Sequence, residues 1–169
     1  MRKRSKEYAN LWNEYANTSA SEYLSKKFTY TKNGYAFTNT LRERAMIDSL
    51  DLKKDDVVLD VGCASGVQLF RISAGIKKGI GIDVGDEYLS VARNEANKLN
   101  LNNLDFIKGE VEQLPFEDGY FSKILIGEVL EHLMEVDLAV MELKRVLKPG
   151  GILVASVPNT NSSKAILLS

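Results

Sequence analysis

From Asp56 onward the chain alternates short apolar runs, rich in β-branched residues, with longer stretches in which apolar and charged positions mix at helical spacing. The pattern predicts strands over VVLDVG (57–62), GIGIDV (79–84), LDFIKGE (104–110), YFSKILIGEV (120–129) and GILVASVPN (151–159). It predicts helices over GVQLFRISA (66–74), EYLSVARNEANKLN (87–100) and VLEHLMEVDLAVMELKRVL (129–147), and a loop carrying LPFEDG between the third and fourth strands. Strands of this kind separated by helices are βαβ units around a parallel sheet buried on both faces. The fold class expected is therefore α/β, with a doubly wound, mostly parallel sheet. Asp86 is placed to cap the helix starting at Glu87, and Pro149-Gly150-Gly151 to stop the long helix before the last strand.

Residues 1–40 break this rhythm. Tyr8, Trp12, Tyr15, Tyr23, Phe28, Tyr30, Tyr35 and Phe37 are spread among Asn, Ser, Thr and Lys, a pattern expected of a helical and aromatic cap laid over a site. Tyr23, Tyr30, Tyr35 and Phe37 are candidates to touch a substrate, whereas Trp12 and Tyr15 read as packing residues. Leu41, Ala45, Ile47 and Leu50 predict a short amphipathic helix ending near Asp51 and leading into a core domain over 41–169.

Composition narrows the class. With 169 residues, 44% of them hydrophobic, the chain can bury the core of one domain. Twenty-two basic residues against 23 acidic leave a net charge of -1, which argues against a nucleic-acid or anionic-membrane partner, and the basic start MRKRSK reads as a solvated tail. A single cysteine excludes an internal disulfide, and no apolar run approaches the ~18 residues of a membrane span. A cytoplasmic protein, soluble and without a membrane partner, is the expectation.

Ligands of such sheets sit outside the carboxyl ends of the strands. The first strand reaches Asp60 and turns through Gly62-Cys63-Ala64-Ser65-Gly66, where glycines allow a tight turn and close backbone approach. Counted from Gly62, the positions a dinucleotide fingerprint reserves for glycine hold Ala64 and Val67, and no phosphate-cradling G-x-x-x-x-G-K-[ST] occurs. The second strand ends in Asp83, whose carboxylate suits the two vicinal hydroxyls of a ribose. Glu110, after the third strand, puts another acid on the rim, where an adenine amino group could donate.

The ordered set Asp60-Val61-Gly62-Cys63-Ala64-Ser65-Gly66, Leu114-Pro115-Phe116, Glu128-Val129-Leu130-Glu131-His132 and Leu147-Lys148-Pro149-Gly150-Gly151 resembles the class I S-adenosylmethionine-dependent methyltransferases, in particular the small-molecule, type 11/12-like branch. The resemblance implies a Rossmann-like fold and S-adenosyl-L-methionine as cofactor, with S-adenosyl-L-homocysteine as product. It places Asp60, Gly62, Cys63 and Gly66 around the methionine part, Asp83 on the ribose and Val84 against adenine. Glu110, where the family usually has Asp, falls at the adenine amino group with Val111 following it in the cofactor site, and Gly127 faces the methionine end through its backbone. Ala64 stands where the family often has glycine, which is a mild departure if its φ stays negative. The family usually carries seven strands, so a chain stopping ten residues after Asn159 is expected to lack the last two, and a homodimer would cover the edge so exposed.

Methyl transfer from a sulfonium needs positioning more than acid–base groups, and a base only for a hydroxyl or protonated amine. At i, i+3, i+4 spacing Glu128, Glu131 and His132 would share a helix face. His132 with Glu131 is the candidate general base. A hard divalent ion such as Mg²⁺ held by Glu128, Glu131 and His132 is the less favoured alternative, and acids stabilised at a helix start the plain one. The function expected is methyl transfer to a small organic acceptor. The alternatives are a non-catalytic module or fragment binding S-adenosylmethionine or adenosylhomocysteine, and an RNA-directed O-methyltransferase.

Overall fold

The computed structural model describes residues 34–158. Trp12, Tyr15, Tyr23 and Tyr30 of the expected cap lie outside the described residues. The sheet has five parallel strands: β1 (Val57–Val61), β2 (Lys78–Asp83), β3 (Leu104–Lys108), β4 (Phe121–Gly127) and β5 (Leu147–Ser156), in the order β3-β2-β1-β4-β5. The chain runs outward from β1 through β2 to β3 and then returns to lie beside β1 as β4. That reversal between β1 and β4 is the switch point of a doubly wound sheet, as the alternating pattern predicts.

Four helices flank the sheet among the described residues: α1 (Gly34–Ser49), α2 (Val67–Ile72), α3 (Asp86–Lys98) and α4 (Val136–Val146). Alternation along the strands sorts their side chains between two faces. Leu59, Val61, Ile80, Ile82, Ile124 and Ile126 pack with Ala139, Leu143 and Val146 of α4. On the opposite face Val58, Leu104 and Phe106 pack with Leu69 of α2 and Leu89 and Ala92 of α3, while Leu125 and Val154 pack with Met46 and Leu50 of α1. Burial on both faces is why these strands read as continuous apolar runs.

No helix follows β3. The segment from Gly109 to Tyr120 covers the α4 face instead, with Val111 and Leu114 buried. It is fastened to α4 by Arg145, which donates to the carbonyls of Leu114 (3.0 Å) and Phe116 (2.7 Å) and to the Asp118 carboxylate (2.9 Å). Glu142, paired with Arg145, accepts the Leu114 N–H at 2.8 Å.

Several expectations are corrected. The helix predicted over 129–147 is broken: a 3₁₀ turn at Leu130–His132 leads to extended backbone at Leu133, and α4 begins only at Val136. β4 stops at Gly127 because Glu128 takes a left-handed backbone, φ 56°. Asp86 is the first residue of α3, whose cap is Gly85; the Asp86 carboxylate is paired with Lys108 at the end of β3. As a first-turn acid it still complements the helix dipole. The long helix ends at Val146 and β5 pairs from Leu147, with Lys148–Gly151 bulging out between the Phe121↔Leu147 and Lys123↔Ile152 pairs. The helix predicted around Leu41–Leu50 is present and starts earlier, at Gly34. No helix among the described residues is long and apolar enough to cross a membrane.

Candidate active site

The loop after β1 is shaped by three consecutive requirements. Gly62 has φ 68° and Gly66 φ 77°, both in the left-handed region that favours glycine. A Cβ at Gly62 would stand 2.3 Å from Cγ2 of Val129, and one at Gly66 2.6 Å from the Phe106 ring. The loop thus needs glycine for its turn and for its packing. The N–H groups of Gly62 and Cys63 both donate to the Ile82 carbonyl, at 2.8 and 3.2 Å, which pins the loop to the end of β2.

Ala64 has φ 45°. The negative φ that would have made its methyl group harmless is not found, and the residue sits in a conformation costing roughly 1 kcal/mol for a non-glycine residue. Its N–H donates to Oδ2 of Asp83 at 2.8 Å, while Gly85 N–H donates to Oδ1 at 2.8 Å. Burial pushes the Asp83 carboxyl above its ordinary range, opposed by these hydrogen bonds and by that of Val84. Oδ2 thus accepts from Ala64 and Oδ1 from Gly85, and a carboxylate has about four acceptor sites to share between backbone and ligand.

The other residues named from the sequence fall into three positions. Asp60 is buried, one residue before the end of β1, on the α1–α3 face rather than at the strand terminus. Cys63 is buried with Leu69 and Phe106, and burial together with Asp60 and Asp83 raises its thiol pKa well above the usual value, so only its backbone is offered to the loop. Glu110 is exposed and Val111 buried, while Val84 lies half-buried beyond Asp83.

Glu128, Glu131 and His132 do not share a helical face. The Glu128 carboxylate accepts Ser156 Oγ at 3.1 Å and pairs with Arg42 of α1 at 3.0 Å. His132 Nε2 lies 3.9 Å from Glu131 Oε1, and burial, then the nearby Glu128 charge, raises the Glu131 carboxyl. Among the described residues no group of three His, Cys, Asp or Glu side chains is gathered to hold a metal ion. Arg42, Ser156 and the buried Ser65 hydroxyl went unmarked in the sequence; each acquires its setting from residues distant in the chain or from burial.

This sheet, with its rim of acids and a glycine cradle after β1, is the Rossmann-like architecture shared with structures of S-adenosylmethionine-dependent methyltransferases. The chain belongs to the methyltransferase-domain family, whose model matches residues 52–166. Its relatives include a demethylmenaquinone methyltransferase of Staphylococcus carnosus, 29% identical, covering 82% of this chain and 61% of the relative. Among solved structures, a SAM-dependent methyltransferase from Aquifex aeolicus aligns with a TM-score of 0.63 at 28% identity, over 71% of this chain and 67% of its own. The [4+2]-cyclase SpnF aligns with a TM-score of 0.66 at 29% identity, over 69% of this chain and 43% of its own. The chain spans about 55–61% of the demethylmenaquinone methyltransferases it matches.

Proposed function

We propose that the chain binds S-adenosylmethionine at the β1–β2–β4 rim and directs its methyl group to a small organic acceptor. The observation that carries this reading is the Asp83 carboxylate, held at the end of β2 by Ala64 and Gly85 with acceptor sites to share with a ribose diol. When bound, the cofactor supplies a methyl group already activated on a sulfonium. The chain's own residues bind and orient. Asp60, Gly62, Cys63 and Gly66 wall the methionine side, with Cys63 acting through its backbone, and Gly127 closes it at the end of β4. Asp83 takes the ribose, Val84 and Val111 flank the adenine, and Glu110 accepts from its amino group.

His132 and Glu131 lie just past β4, where an acceptor would approach, and serve as the base for a hydroxyl acceptor, Glu131 holding the imidazole. The small-molecule acceptor is favoured by the demethylmenaquinone methyltransferases among the relatives. A second reading, cofactor binding without methyl transfer, is favoured by the likeness to a structure named as a cyclase. Incubation with methyl-labelled S-adenosylmethionine and panels of phenols, quinone precursors, sugars and RNA separates them. Label in a small organic acceptor supports the first reading, label in RNA redirects it, and binding with no transfer supports the second.

A further inference from the structure

Apolar exposure is concentrated at α4. Among the described residues eight large hydrophobic side chains are exposed, and five of them, Met134, Val136, Leu138, Val140 and Met141, fall within a single stretch of eight residues. Single exposed apolar residues are ordinary, whereas a patch of them marks an interface. α4 holds the sheet with Ala139, Leu143 and Val146, spaced i, i+4, i+7. Helical spacing then puts Val136 with Val140 along one flank of the outer side and Leu138 with Met141 along the other, with Asp137 and Lys144 between the two rows. Met141, nearest the middle of that side, is 66% exposed.

The two charges decide what fits there. Asp137 is in the first turn and Lys144 in the last, both side chains are exposed, and neither has an ion pair or hydrogen bond among the described residues. Each complements the dipole of its own helix. They stand about 10 Å apart along the axis, too far to pair with each other. They are also placed symmetrically about the midpoint between Val140 and Met141. A second α4 laid antiparallel across that midpoint sets each Asp137 opposite Lys144 of the second copy, and brings the two Met141 side chains together at the axis. A parallel copy would set acid against acid and lysine against lysine. The chain's net charge of -1 adds little repulsion between copies.

We propose that α4 is the seam of a homodimer, two copies packing antiparallel through Val136, Leu138, Val140 and Met141, with reciprocal Asp137–Lys144 pairs fixing the register. Such an interface is self-complementary, the same patch serving both copies. Methionine adapts its shape to a facing surface and is enriched at interfaces. Met134 carries the patch past the helix start to within two residues of His132, so the seam borders the acceptor side of the rim.

The test is sedimentation velocity on the full chain across micromolar concentrations, for wild type, M141E, D137K, K144D and the double variant D137K/K144D. Wild type is expected to dimerise with increasing concentration, and M141E, which sets like charges together at the axis, to stay monomeric. D137K and K144D each replace two attractive pairs by two repulsive ones and should weaken association about tenfold or more. The double variant restores the complementarity and should return to within about threefold of wild type. The helix dipole predicts the opposite order, since the double variant is the least favourable for α4 itself. M141C, oxidised with added diamide, should link the two copies by a disulfide across the axis, Cys63 being buried. A wild-type monomer at every concentration, as a face covered by another part of the chain or kept for a different protein would give, overturns the proposal. So does a dimer that M141E leaves intact, as pairing through the β5 edge would, or a double variant no better than the singles. If M141E does not fold, M141C decides, and failure to cross-link counts against.

Discussion

The Asp83 carboxylate at the end of β2 accepts the backbone N–H of Ala64 at 2.8 Å. This one bond joins the two halves of the site, because Ala64 is the midpoint of the glycine loop and Asp83 the acid nearest to it on the rim. A hydrogen bond to a charged acceptor contributes about 1.5–3 kcal/mol, enough to offset the left-handed backbone that Ala64 adopts. Loop shape and ligand chemistry are thus set by the same side chain.

Acid should weaken cofactor binding earlier than an ordinary carboxylate would allow. Burial raises the Asp83 carboxyl in the folded protein. Because the folded value lies above the unfolded one, the group favours folding at low pH, and that contribution is lost as pH rises through the folded value; above it the folded protein carries a buried charge. The ribose contact needs the charged form. Affinity for S-adenosylhomocysteine should therefore fall as pH drops through a range above the ordinary value of about 3.9, and D83N should flatten the profile. A wild-type profile flat down to about pH 4 would contradict this.

Replacing Ala64 by glycine should not weaken the protein. Its φ of 45° costs roughly 1 kcal/mol with a Cβ present, partly offset by the greater freedom glycine has in the unfolded chain. A64G is expected to match wild type or gain up to about 1 kcal/mol in urea denaturation. A loss above about 1 kcal/mol would show that the methyl group packs usefully.

Arg145 fastens the segment that carries Leu114 to Asp118. R145A should speed amide hydrogen exchange across residues 110–119 while leaving β1 and β2 protected, since the bonds removed all lie on that segment and α4. R145K should recover only part of the protection, because an ammonium cannot serve two carbonyls and two carboxylates in one plane. Uniform loosening of the whole sheet would argue that the residue acts on global stability instead.

Most of the sheet was legible in the sequence, and the physical reason is burial on both faces. The strands around Leu59, Ile82 and Ile124 are short β-branched runs punctuated by turn residues, and they formed within a few residues of the predicted bounds. Periodicity failed at 128–135. There the chain answers to distant partners: Glu128 is drawn to Arg42 and Ser156, and Val129 packs onto the bare backbone of Gly62. Tertiary contacts of this kind override local helix preference. Asp86 misled for a similar reason, since Lys108 holds its carboxylate. Arg42 read as an ordinary polar position on an amphipathic helix, because nothing local distinguishes a surface arginine from one paired with a distant acid such as Glu128.

His132 and Glu131 test the acid–base part of the proposal separately from binding. H132A and E131Q should each lower kcat for a hydroxyl acceptor by about 10²–10⁴ and leave cofactor affinity unchanged. Full activity in H132A would leave positioning alone to account for the chemistry.

The most direct measurement is calorimetry of S-adenosylhomocysteine binding to wild type and D83A. Removal of an acceptor for two ribose hydroxyls should cost about 1–3 kcal/mol, roughly ten- to hundredfold in affinity, with wild type binding one equivalent. No binding to wild type, or equal affinity in D83A, would contradict the assignment of this rim as the cofactor site.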